Sequence, residues 1–158
     1  MIEIKPKSLK LLSSEANNFD SRESKVIIMI KMINNFLIIS FIGKDDRLGL
    51  RINKDFFIHE LNNTKNKSDL LASEILNFIN IHDVILDKNF TIIVNQGPGS
   101  FTGVRASISI VKGLEISKKV RIFGYRNKDL EHFDQENVEI LLKEKLIEKK
   151  LIKPIYLS

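Results

Sequence analysis

Most of the side chains that could do chemistry close together lie in nine residues, Gly97-Pro98-Gly99-Ser100-Phe101-Thr102-Gly103-Val104-Arg105. Three of the seven glycines of the chain fall here. Glycine admits positive φ or a close backbone approach, and Pro98 fixes φ between two such positions. Ser100 or Thr102 can cap a helix that follows. The bare amides of a helix start also attract anions, so a phosphate cradle has to be weighed. It fails in detail. A P-loop needs Gly-Lys-Ser/Thr after four residues, but Thr102 follows Gly97 at that distance and Val104 follows Gly103. A dinucleotide fingerprint needs glycine at Thr102, and a hydrolase elbow needs glycine at Pro98 and Thr102. The mismatches leave a tight turn that packs a helix closely on a sheet.

Other chemistry is sparse. Ser100 alone is a weak nucleophile without a histidine and a carboxylate to support it, so a serine peptidase or glycoprotease-like enzyme has little behind it. His59, His82 and His132 are far apart, and none has a partner at the His-x-x-x-His spacing of helical metal ligands. No catalytic residue, no metal and no cofactor is expected.

The elements that must position the glycine turn follow from hydrophobic period. Phe36 to Ile42 and Phe90 to Asn95 are continuously apolar runs of buried-strand type. Arg47 to Ile52 and Phe56 to Leu61 read as two strands of a meander. Leu71, Ile75, Phe78 and Ile79 stand at helical spacing, which predicts a helix over 68–81. A second helix is predicted from Phe101 to Ser117, and a last strand from Val120 to Tyr125. Three strands, helix, strand, helix, strand is an α/β order, an antiparallel meander extended by right-handed crossovers to parallel strands. The tail, Asp134 to Lys150, is predicted as an amphipathic helix with the stripe Val138, Leu141, Leu142, Leu146 and Ile147, capped by Asp134 or Asn137. Its lysines read as a solvated face, with contact to tRNA or a partner as the alternative.

The chain has 158 residues, 43% hydrophobic and 28% charged, with no cysteine and a net charge of +5. One ordinary domain with a small appendage fits that length. Disulfides and cysteine-ligated zinc are excluded, and the modest positive charge permits a nucleic-acid contact without requiring one. No apolar run reaches membrane-spanning length, and the N-terminus lacks the order of a signal peptide, so a cytoplasmic protein without membrane contact is expected.

The string from Gly97 to Arg105, with its helix up to Lys112-Gly113-Leu114, resembles the signature of the TsaB (YeaZ) family. These are subunits of the bacterial machinery that makes threonylcarbamoyladenosine in tRNA. The likeness runs loosely from about Phe36 to Leu130, with an echo in Lys153-Pro154-Ile155-Tyr156-Leu157. It implies the ribonuclease-H-like half of an actin-type (ASKHA) fold. It also implies a non-catalytic scaffold for a TsaD-type threonylcarbamoyl transferase that works with a TsaE-type ATPase, touching tRNA only indirectly. A homodimer in isolation is compatible with that role; the alternative is a degenerate self-associating relative without a transferase partner.

Three segments are expected: an extension over 1–31, poorly ordered or strand-like; a TsaB-like N-terminal subdomain over 32–130; and a C-terminal amphipathic helix and tail over 131–158. Two departures from the family stand out. Actin-type folds that bind ATP carry an acidic residue on the first strand, whereas Ser40 is the only polar side chain from Phe36 to Ile42. Asp45 and Asp46 read as turn residues. The second subdomain of the family is largely missing, since only a linker and one helix fit after Tyr125. No binding of ATP or GDP by the chain alone is therefore expected.

At 100° per residue the second helix has two uncharged faces. Gly103, Val104, Ser107, Ile110, Val111 and Leu114 can lie on the sheet. Thr102, Ala106, Ser109 and Gly113 form a narrow ridge of small residues, low enough for another helix to approach. One reading has the helix over 68–81 covering that ridge within the chain. The other has both helices, with Leu71, Ile75 and Phe78, forming a partner interface, as the resemblance also implies. Arg105 is expected either as an ion-pair or hydrogen-bond anchor or as a solvent-facing side chain.

Overall fold

Strand formation follows the apolar runs. In the computed structural model, which describes Lys25, Ile28 and residues 33–61, 67–149 and 152–156, these runs build one six-stranded mixed sheet. The extension expected over 1–31 lies outside the described residues except at Lys25 and Ile28. Both of these are helical.

β1 (Phe36–Ser40) and β4 (Thr91–Asn95) are buried at every residue and lie side by side in parallel, with β5 (Arg121–Tyr125) parallel to β4. Interior strands covered on both faces need such continuous apolar sequence. β2 (Arg47–Ile52) and β3 (Asp55–Glu60) complete the meander by antiparallel pairing, turning at Asn53, whose φ is 58°. The sheet order is β3-β2-β1-β4-β5-β6, the last being the short strand β6 (Ile147–Glu148).

The side-chain period of two divides the sheet into two faces. Leu37, Ile39, Leu50, Ile92, Val94 and Ile122 pack in one cluster with α1 (Lys67–Ile81) and α2 (Phe101–Lys118). Phe36, Ile38, Ile93 and Phe123 point the other way and are equally buried. That second face is covered by α3 (Gln135–Lys143) and the segment before it. Phe133 reaches the strands beside Gly49 and Phe56, and Arg51 bonds Glu139 at 2.6 Å. Val138 and Leu141 of α3 are fully buried.

The predicted tail helix is too long. α3 ends at Lys143, Lys145 takes a left-handed φ of 58°, and Ile147–Glu148 forms β6, antiparallel to Gly124 and Tyr125 of β5. The stripe Leu146-Ile147 continues the helical pattern in sequence. The otherwise open edge of β5, however, offers backbone partners together with a buried seat for Ile147. Asp134, not Asn137, is the cap: its carboxylate accepts from the amide of Asn137 at 2.8 Å.

Candidate functional site

The glycine turn leaves the end of β4 and is tied to three other parts of the chain. Gly97 has φ of +95°, a conformation that side chains rarely adopt, and the Gly97-Pro98 bond is cis. Its amide donates to the side chain of Asn95 at 2.8 Å, and its carbonyl accepts from Asn127 at 3.0 Å. The amide of Ser100 donates to the carbonyl of Ile42 at 2.6 Å. Gly99 serves close approach: a Cβ there would lie 2.6 Å from Ile42 Cβ and 2.8 Å from its carbonyl oxygen. Ile42 is held in turn by Asp46, whose Oδ1 accepts from the amides of Ile42 and Gly43, both at 2.9 Å. Asp46 is thus the turn residue it was expected to be.

The C-terminal echo of the family sits on the same turn. Ile155 donates to the carbonyl of Gln96 at 2.8 Å, and Tyr156 stacks on Phe101 with centroids 5.5 Å apart. Arg105 is exposed, as in the solvent-facing reading, and its guanidinium lies 4.8 Å over the ring of Phe101 in a cation–π contact. Two stretches whose contacts join residues 55 and 59 apart in sequence thus pack together.

Ser100 is the helix cap. Its hydroxyl accepts from the amide of Gly103 at 3.2 Å, and its partner is backbone rather than a base. The histidines are elsewhere: His59 meets Glu74 at 2.8 Å, His82 packs against Phe57 and Phe78, and His132 lines a cleft on the other sheet face. Among the described residues no group of three or more histidine, aspartate or glutamate side chains could hold a metal ion.

That cleft is what the sequence reading missed. Arg47 and Ser40 are register partners, Asn95 donates to Ser40 Oγ at 3.2 Å, and Asn95 and Tyr125 are register partners. Four polar side chains therefore cross β2, β1, β4 and β5 in one row, at the carboxyl ends of the three parallel strands. Asn95 also donates to Asn127 Oδ1 at 3.1 Å. The row borders an open cavity of about 550 Å3, lined by Ser40, Arg47, Tyr125 and Asn127 with Lys44, Asp45, Lys128, Glu131, His132, Leu130 and Phe133 around them. Asp45, read only as a turn residue, is part of this rim. Tyr125 is 1% exposed, and its hydroxyl forms no well-formed hydrogen bond although Ser40 and Asn95 lie close enough to act on it. Burial pushes its phenol well above the ordinary value, so it remains a neutral donor. A signal existed in the sequence. Each parallel strand closes its apolar run on a polar residue, Ser40, Asn95 or Tyr125, but their alignment is a matter of register.

The expected partner residues separate into two groups. Leu71, Ile75 and Phe78 lie in the core under α1 and cannot be a surface, a correction that follows from their place on the sheet-facing side of that helix. Thr102, Ser109 and Gly113 are exposed, Ala106 is partly buried, and a Cβ on Gly113 would meet nothing within 4 Å. α1 packs beside α2 without covering this ridge. The exposed apolar side chains on these helices include Leu70, Leu76 and Ile116.

No protein-family model and no curated protein matches the chain. Solved structures do. One is described as an uncharacterized protein with similarity to peptidase YeaZ from Pseudomonas aeruginosa, at 21% identity and a TM-score of 0.54, covering 62% of this chain and 44% of the other. Another is YeaZ from Pseudomonas aeruginosa, at 18% identity and a TM-score of 0.56, covering 72% of this chain and 50% of the other. The chain has the fold of these structures, the α/β arrangement that was expected, and spans about half their length. No helix among the described residues is long and apolar enough to cross a membrane.

Proposed function

We propose that the chain is a TsaB-like, non-catalytic scaffold subunit that supports a TsaD-type transferase in the threonylcarbamoyladenosine modification of tRNA, in the cytoplasm. The observation that carries this reading is the uncovered ridge Thr102, Ala106, Ser109 and Gly113 on α2, on a fold like that of YeaZ. A surface helix usually turns a charged face to solvent. This one exposes Arg105, Lys112, Glu115 and Lys118, and beside them it keeps a row of small side chains, with Leu70 and Leu76 exposed on the neighbouring α1, a shape suited to another helix pair. A TsaE-type ATPase would join the same assembly, with tRNA held by the transferase. The capping role of Ser100 speaks against a serine peptidase, since its hydroxyl is bonded to backbone and no histidine accompanies it.

Co-expression with a TsaD-type transferase, followed by size exclusion, tests the reading. A stable complex is expected. Ser109→Arg and Ala106→Arg, made singly, should weaken it by about 2 kcal/mol or more, roughly thirtyfold, by placing an unpaired charge in the contact. The free Ser109→Arg protein should melt nearly as before, because Ser109 is exposed, whereas Ala106 is partly buried against the core, so Ser109→Arg is the deciding variant. No complex, together with a homodimer that both variants break, would favour the self-associating reading.

A further inference from the structure

β3 is an edge strand of the sheet, and among the described residues no strand pairs with its outer side. Such edges are usually blunted by a lysine, a proline or a bulge within the strand. This one pairs one to one with β2 without a bulge, and its middle is Phe56-Phe57-Ile58, with Phe57 37% and Ile58 45% exposed. Charge is kept to the two ends, Lys54 and Asp55 at one and Glu60 at the other. The ladder with β2 fixes which backbone groups are free. Asn53 and Lys54 form the turn between Ile52 and Asp55, and residues that flank a two-residue turn exchange both of their bonds. Asp55, Phe57 and His59 therefore turn their amides and carbonyls toward β2. Leu61 keeps the same phase, its amide donating to the carbonyl of Asp46 at 2.9 Å. Phe56, Ile58 and Glu60 aim theirs at the open edge, while the carbonyl of Lys54 already accepts from Gln135 at 3.3 Å.

We infer that β3 pairs antiparallel with β3 of a second copy of the chain about a two-fold axis at Phe57, which joins the sheets of two protomers into one. An antiparallel ladder sets outward-bonding residues opposite one another, so the axis falls on a residue and not between two. With the axis on Phe57, Lys54 faces Glu60, Asp55 faces His59, Phe56 faces Ile58, and Phe57 faces its own copy. Every charge then meets its opposite or an imidazole, and every apolar residue meets an apolar one. An axis on Phe56 would set Asp55 against Phe57 and Lys54 against Ile58; one on Ile58 would set Glu60 against Phe56. The charges at the strand ends thus select the register as well as the partner. Residues opposite one another share a face, so Ile58 of each copy covers Phe56 of the other. The paired Phe57 rings extend the contact that Phe57 already makes with His82, centroids 4.2 Å apart. Phe56 and Ile58 contribute about four backbone hydrogen bonds. A two-fold contact closes at two copies instead of propagating. It uses no residue of α2, so it stands or falls apart from the scaffold reading.

The test is sedimentation equilibrium of the whole chain over a range of concentrations, paired with amide hydrogen exchange. A monomer–dimer equilibrium is expected, half complete at about 10–100 µM. Exchange should slow with concentration at Phe56, Ile58 and Glu60, and should be slow at every concentration at Phe57 and His59, whose amides bond β2. Ile58→Pro removes an outward donor and none of the bonds to β2, and should weaken the dimer by about tenfold or more. Lys54→Glu and Glu60→Lys, made singly, set like charges opposite one another and should each weaken it by about fivefold. The double variant Lys54→Glu/Glu60→Lys restores opposite charges and should dimerise within about twofold of the parent. The inference is overturned if the chain stays monomeric at every concentration or if Ile58→Pro dimerises as the parent does. It is overturned equally if the double variant stays as weak as the singles, or if Ser109→Arg breaks the dimer while Ile58→Pro does not, which places self-association on α2. Exchange at Phe56 and Ile58 that is slow regardless of concentration also overturns it, because the edge is then covered within the chain. Should Ile58→Pro fail to fold, Ile58→Lys takes its place, with the same loss expected from a charge in mid-edge.

Discussion

Beneath α1 and α2, the strands β1 and β4 present Leu37, Ile39, Ile92 and Val94, apolar and buried to the last residue. On the opposite face the same strands present Phe36, Ile38 and then Ser40, and Thr91, Ile93 and then Asn95. One face is a closed core. The other is apolar for most of its length and turns polar where the cleft begins. Its cover differs accordingly. Helices of 15 and 18 residues close the first face, whereas α3 has nine residues and seats Val138 and Leu141. Cover that stops short leaves a face free for chemistry, and the fold can tolerate polar groups there because the other face carries the larger hydrophobic contribution.

The comparison makes unequal demands on single substitutions. Ile75→Ala, in the closed face, should cost about 2–5 kcal/mol in urea unfolding, since it removes three buried carbons and leaves a cavity between α1 and the sheet. A loss as small as that of a surface substitution would show that this face is not the main core. Gly99→Val joins the two regions, because the turn it belongs to presses on Ile42 at the end of β1. The added side chain meets backbone at 2.8 Å, and a cost of about 1–3 kcal/mol is expected. An unchanged melting temperature would mean that the turn is free to move.

Asp134 tests how firmly the short cover is held. The amide and then the side chain of Asn137 bond its carboxylate and hold its pKa below the ordinary range. A depressed pKa in the folded state means that the contribution is complete above the unfolded value and fades as pH falls through the folded one. Asp134→Ala should therefore lower the melting temperature at neutral pH, with the gap to the parent closing in acid. A gap that persists at low pH would assign the effect to packing instead. The smallest effect is expected at Tyr125→Phe, less than about 0.5 kcal/mol in unfolding, because the hydroxyl removed has Ser40 and Asn95 near it but no well-formed hydrogen bond. A large loss would show that it is bound to Ser40 or Asn95 and is structural.

Much of this was legible in the chain. Continuous apolar runs at Phe36–Ser40 and Thr91–Asn95 could only be interior strands, and the helical period from Leu71 to Ile79 could only be a helix on their face, because burial on two sides or one fixes the period of apolar residues. Glycine and proline density marked the turn at Gly97, and local sterics decide such a turn within a few residues. The resemblance carried by that turn led to the fold of the YeaZ structures.

What the period could not decide was set by partners distant in sequence. Leu146-Ile147 follows a helical stripe but pairs with β5, because an open sheet edge offers hydrogen bonds that helical spacing does not record. Leu71, Ile75 and Phe78 have the composition of an interface and the position of a core; only the side of α1 that meets the sheet distinguishes the two. The polar row is the clearest case. Arg47, Ser40, Asn95 and Tyr125 are single polar residues at the ends of four strands, none marked in its own stretch as a neighbour of the others. The sequence determined that each would stand at an end of its strand; strand order and register, products of the whole sheet, decided that they would stand side by side.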